Sequence, residues 1–235
     1  MTFFKRISPA WIALILGAGM STHFMGCSGK AVNEDDPAIL YNDAEEDIKS
    51  DHYQLALDKL RTVKNKHPYS KQAVDALLRI GDVYFLQESY AEAAAAYEAF
   101  KDLHPKHERV AYAMFRMALS YFNDIPGNLA RDLTPAKKAL EAFDDYMKRF
   151  PTAAEAGDAK KDMAETRRIL AEKELYIADF YYKRDDYMAA RARYLKILDM
   201  YPESPAAVKS KDKLVKLAKV KIPPPQTPED RLKNQ

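Results

Sequence analysis

Apolar residues recur along this chain at intervals of three and four, the spacing of one face of a helix. Leu77, Ile80, Gly81 and Tyr84 fall on one such face, and Ala93, Tyr97 and Phe100 fall on the next, which Pro105 stops. The pattern returns three times. Leu40 and Ala44 precede Ala56, Leu60, Val63 and Pro68; Met114, Met117, Ala118 and Tyr121 precede Ala139, Phe143, Tyr146 and Pro151; Ile177, Ala178 and Tyr181 precede Ala190, Tyr194, Ile197 and Pro202. A further helix is predicted over Pro205 to Val220. No run rich in Val, Ile and Thr alternates at period two, and only Gly81, Gly127 and Gly157 interrupt the chain beyond its first 29 residues. The expectation is an all-α fold of four helix pairs and one extra helix.

Small residues where paired helices cross, larger ones in the groove and a closing proline make up the tetratricopeptide spacing. One such pair cannot bury its apolar face, whereas a stack can. Residues 38–221 are therefore read as one right-handed superhelical tetratricopeptide-repeat solenoid, with residues 1–26 and 27–37 before it and a proline-rich tail, residues 222–235, expected to be disordered. Two departures lengthen the repeats. The third pair has a long connection, "NDIPGNLARDLTP", and the charged stretch Ala153 to Lys173, with an apolar edge at Met163, Ile169 and Leu170, is read as an extension of the next helix.

The first residues have a different character. Lys5 and Arg6 precede the apolar run Ala10 to Met20, too short to span a bilayer as a helix, and Gly26 precedes Cys27, the only cysteine. The stretch resembles a bacterial lipobox, with Phe24 where leucine is usual, and the resemblance implies acylation of Cys27 after cleavage. Ser28, in place of aspartate, implies sorting to the outer membrane. A plain secretory signal is the alternative. Two or more acyl chains hold a protein firmly at a membrane. Removing the signal leaves 35 Lys+Arg (37 less Lys5 and Arg6) against 35 Asp+Glu, a balance that asks for no nucleic acid or anionic surface.

The chemistry-bearing residues do not assemble into an enzyme. No glycine-rich phosphate loop occurs, "SKDK" at Ser210 to Lys213 is read as a polar helix face, and His104 and His107 are read as loop histidines. Asp35-Asp36 and Asp144-Asp145 lack calcium-loop spacing, and Asp185-Asp186 reads as a turn and helix start. No catalysis, metal or cofactor is expected.

Binding is expected instead. One position past the packing set lie Asp75, Leu78, Asp82 and Phe85 in the second pair, and Tyr112, Phe115, Leu119 and Phe122 in the third. They would line the concave surface as an apolar and aromatic wall suited to an extended peptide, or else pack against the next repeat. Near the C-terminal end, Arg184, Tyr187, Arg191, Arg193 and Tyr194 form a candidate partner-docking cluster.

"YYKRDDYMAARARY" with "YPES" (Tyr201 to Ser204), and "KHPYSKQAVDALLRIGDVYF" (Lys66 to Phe85), resemble the BamD family, lipoprotein subunits of the β-barrel assembly machinery of Gram-negative bacteria. The resemblance covers most of residues 38–221. It implies a lipid-anchored protein on the periplasmic face of the outer membrane. Its C-terminal repeats would hold a periplasmic domain of the barrel insertase, and its N-terminal repeats would receive unfolded outer-membrane proteins. Two alternatives stay open: a periplasmic repeat protein coordinating cell division or envelope biogenesis, and a lipoprotein acting in peptidoglycan hydrolysis.

Overall fold

A computed structural model describes residues 35–220. The signal, Cys27, most of the tether and the whole of the tail lie outside the described residues. Within them the chain forms nine helices and no strand: α1 (Pro37–Lys49), α2 (Tyr53–Lys66), α3 (Lys71–Leu86), α4 (Tyr90–Leu103), α5 (Val110–Asn123), α6 (Thr134–Arg149), α7 (Ala156–Lys183), α8 (Tyr187–Met200) and α9 (Pro205–Leu217). Each helix packs on its neighbours in chain order, so α1/α2, α3/α4, α5/α6 and α7/α8 are the four expected pairs and α9 is the extra helix of a tetratricopeptide-repeat solenoid.

Repeated local rules set the turns. Three pairs reverse through a non-glycine residue in the left-handed region, Asp51 (φ 58°), Glu88 (φ 58°) and Asp185 (φ 61°), each two residues before the second helix. Asp186 then caps α8, its side chain accepting from the amide of Ala189. The second helices end on a ring in one shared conformation: His67, His104, Phe150 and Tyr201 have φ from −124° to −136° and ψ from 52° to 55°. Ser70 and Ser204, two residues past the prolines of the first and fourth repeats, cap α3 and α9.

Crossing points are tight. Gly81 faces the ring of Tyr97, and a Cβ there would lie 2.8 Å from Cε1. The other three pairs use Ala44, Ala118 and Ala178 at this place, all fully buried. Tyr97, Phe143 and Tyr194, each fully buried, fill the groove beyond it, as Leu60 does in the first pair.

The long third connection folds back as a small core of its own. Leu133, Ala136 and Leu170 are buried with Ile125, Leu129 and Ile169 around them. Lys173 ties α7 to this loop by donating to the carbonyls of Leu129 and Arg131. The charged stretch and the first helix of the fourth pair are one 28-residue helix, α7.

That helix works in two frames. In its first half Ala159 and Thr166 are fully buried against the third repeat, as Ala76 and Val83 of α3 and Ala113 and Ser120 of α5 are buried against theirs. In its second half Ala178 is fully buried against α8, the role of Gly81 toward α4, while Phe180, in the place of Val83, is 50% exposed. Ala164 and Ala178 thus both occupy the crossing position, 14 residues or about four helical turns apart.

Candidate functional site

The first candidate face is carried by α1, α3 and α5. Arg79 of α3 donates to both oxygens of Glu45 of α1, at 2.7 and 2.9 Å, and to Asp82 one turn on, at 3.3 Å. Asp82 is only 4% exposed, yet it is well satisfied: the hydroxyls of Tyr97 and Tyr112 each donate to its Oδ1 at 2.7 Å. A carboxylate without such donors would be expensive to bury. Arg116 of α5 closes the group. Its Nε donates to the Tyr97 hydroxyl at 3.1 Å, and its guanidinium carbon lies 3.7 Å from the centroid of the Phe85 ring. Burial, with Asp82 adding to it, pushes the Tyr97 phenol far up and the Tyr112 phenol to about 12. Burial, then Glu45, pushes Tyr41 to about 12.

Four helices, α1, α3, α4 and α5, thus share one polar ladder, and it takes in several of the expected wall residues. Leu78, Asp82 and Phe115 are buried, at 1%, 4% and 8% exposure, and pack within and between repeats. Phe85, Tyr112, Leu119 and Phe122 are half-buried and keep an accessible edge. Phe85 meets Tyr90 edge-on at 5.3 Å, and Phe122 meets Phe143 at 6.3 Å. Arg116 was not among the sequence candidates, although it falls on the same helix position as Arg79 one repeat earlier, and that periodicity is the signal that exposes it.

The second candidate face divides. Tyr194 is fully buried and donates to Asp179 of α7 at 2.6 Å; Arg193 reaches Glu174 of α7 at 2.9 Å, where Lys196 also binds at 2.6 Å. These two side chains hold the fourth pair together. Tyr187 is half-buried, donating to Asp185 and meeting the ring of Tyr182 edge-on at 5.8 Å. Arg184 and Arg191 are the exposed members. Arg184 lies 5.4 Å from the Phe180 ring, and Arg191 borders a groove of about 460 Å³ with Leu195, Leu214, Leu217, Ala218 and Val220. Positions 191 and 193 are about 200° apart on a helix, so the cluster could not share one face.

His104 and His107 are packed rather than solvated. Both rings lie against Phe100, at 5.4 and 5.3 Å, and His107 Nδ1 accepts from the Arg109 amide at 3.1 Å. Among the described residues no helix is long and apolar enough to cross a membrane.

Such an arrangement defines a tetratricopeptide-like helical repeat protein, its polar side chains bound to one another across repeats and its accessible edges aromatic and cationic. The chain belongs to the family described as outer membrane lipoprotein (YfiO), whose model matches residues 33–220. It is similar to proteins named outer membrane protein assembly factor BamD. The one from Caulobacter vibrioides is 30% identical over 182 residues, covering 75% of this chain and 59% of the relative. The one from Neisseria gonorrhoeae is 29% identical over 200 residues, covering 81% and 74%. That from Vibrio cholerae is 28% identical over 196 residues, covering 79% and 81%. The chain thus spans less than two thirds of the Caulobacter relative and about three quarters or more of the other two.

Proposed function

We propose that this protein is a non-catalytic scaffold and client-recognition lipoprotein of the outer-membrane β-barrel assembly machinery. The carrying observation is the family match across the whole described solenoid, together with the assembly-factor name of its relatives. Cys27 is the lipid-bearing residue, holding the chain at the periplasmic face of the outer membrane. The half-buried edges of Phe85, Tyr112, Leu119 and Phe122 receive unfolded outer-membrane protein segments, whose strands are rich in aromatic side chains. Stacked rings beside a guanidinium suit that ligand, because an incoming aromatic can extend an edge-to-face array already in place. Arg184 and Arg191, exposed near the C-terminal end, dock the periplasmic domain of the barrel insertase.

Each part has its own test. Palmitate labelling of the full chain should vanish in Cys27→Ala; retained label would place the anchor elsewhere. An aromatic-rich strand peptide titrated against the chain should bind about tenfold more weakly to a Phe85→Ala, Phe122→Ala double variant, and equal affinity would remove the wall from the account. Recovery of the insertase domain should fall with Arg184→Glu, Arg191→Glu; undiminished recovery would move the docking surface.

A further inference from the structure

The balanced charge of the whole chain conceals a local excess at its last described helix. Residues 205–220 carry Lys209, Lys211, Lys213, Lys216 and Lys219 against Asp212 alone. Widening the window to α8 and the turn after it keeps the excess, adding Arg191, Arg193 and Lys196 against Asp199 and Glu203. Lys213 is used within the fold, 3.6 Å from Asp179 and 4.4 Å from the centroid of the Tyr182 ring. The other four lysines of the helix and its end are exposed and have no acidic partner among the described residues.

The inner side of α9 is an ordinary repeat face. Ala207, Ser210 and Leu217 are buried, in the places of Ala73, Ala76 and Val83 of α3. The outer side is not. Lys211, Val215 and Ala218 stand where α3 has Leu77, Gly81 and Tyr84, the residues that receive its second helix. A lysine in the apolar place and a β-branched residue at the crossing point do not suit that role. The end of a stack needs a polar outer face, but not one of a single sign. On α6, for contrast, the exposed Lys137, Lys138 and Lys148 stand among Glu141 and Asp145. At about 100° per residue, Val208 and Val215 fall in the middle of the exposed arc of α9. They are 63% and 61% exposed. Lys211 lies to one side of them, Lys209 and Lys216 lie to the other beyond Asp212, and Lys219 follows just past the helix.

We propose that this face of α9 lies against an anionic phospholipid surface. The inference rests on the lipid-anchor reading for one thing, the nearness of a bilayer. Residue type chooses lipid over protein. Protein interfaces favour Arg and aromatic side chains and are poor in Lys. A lysine is a flexible, hydrated point charge, and a sheet of anionic headgroups attracts it without fixed geometry. Val208 and Val215 enter the headgroup layer while the lysine stems reach outward around them. The chain's own residues 221–235 do not complement the face, since they offer Glu229 and Asp230 against Lys221, Arg231 and Lys233.

The chain from Ser28 to Gln235, which keeps the whole solenoid but not Cys27, is floated with vesicles of phosphatidylethanolamine mixed with phosphatidylglycerol. Vesicles of phosphatidylethanolamine and phosphatidylcholine are the neutral arm. Partitioning onto the anionic vesicles is expected to exceed the neutral arm about tenfold or more and to fall as salt is raised. Each lysine at such a surface is worth about fivefold. Changing Lys209, Lys211, Lys216 and Lys219 together to Gln should therefore cost about a hundredfold or more, while changing all four to Arg should retain binding. All four are exposed, so unchanged helical content and melting serve as the folding control. No partitioning onto the anionic vesicles, equal partitioning onto the neutral ones, or an undiminished Gln variant overturns the proposal. So does capture by polyglutamate in preference to the anionic vesicles, which would assign the face to an acidic polypeptide. Because Cys27 is absent from the assay, these outcomes are separate from that of the palmitate test.

Discussion

The second and fourth repeats carry the same device in different surroundings. In each, a buried tyrosine of the second helix donates to an aspartate 15 residues earlier on the first: Tyr97 to Asp82 at 2.7 Å, Tyr194 to Asp179 at 2.6 Å. Asp82 is sealed by the next repeat, where Tyr112 donates to it and Arg116 lies over Phe85. Among the described residues only α9 follows the repeat of Asp179; Lys213 approaches to 3.6 Å, and the aspartate side chain is 38% exposed. The crossing residue differs too, Gly81 against Ala178. A repeat's polar bridge is local in sequence, but how deeply it is buried depends on the repeat that follows.

Gly81→Ala should break this comparison most strongly. Its Cβ would press on the Tyr97 ring in a packed interior, and overpacking of that kind costs about 1–3 kcal/mol. Urea unfolding should show the loss. Tyr97→Phe comes next. Removing a donor from a buried carboxylate costs about 1–3 kcal/mol, whereas Tyr194→Phe should cost less than about 1 kcal/mol because water can reach Asp179. Equal losses would show that the following repeat does not govern the bridge.

Alkaline pH gives a smaller and graded effect. Tyr112 and Tyr41 are both raised to about 12 in the fold, by burial first and then by Asp82 and Glu45 respectively. A phenol whose folded value lies above its unfolded value near 10 gives its full stabilisation below about pH 10, and loses it as pH rises toward 12. Melting temperature should therefore decline over that window, and Tyr112→Phe should flatten the decline. Smallest of all is Glu88→Gly or Asp185→Gly at the left-handed turns, where relief of backbone strain should stabilise by a few tenths of a kcal/mol up to about 1 kcal/mol.

Helix count, pairing and crossing residues were legible because they rest on short-range spacing: Gly81, Ala118 and Ala178 each stand at a predictable distance from a ring and a proline. The double frame of α7 was not. Lys160, Lys161, Arg167 and Arg168 stand where earlier repeats have apolar or aromatic residues, so Ala164 looks like one more alanine in a charged helix. Burial of Leu78, Asp82 and Phe115 was hidden for a related reason: a position facing outward from one pair can face inward once the next repeat stacks on it. The Arg191/Arg193 cluster failed as a single surface because neighbouring letters on a helix point apart.

Depletion of the chain in its own bacterium tests the central claim most directly, with outer-membrane barrels followed as folded, heat-modifiable species on gels. The account predicts that folded barrels decline while unfolded precursors accumulate in the periplasm, and that the full chain, but not Cys27→Ala, restores them. Normal barrel assembly throughout depletion would contradict it.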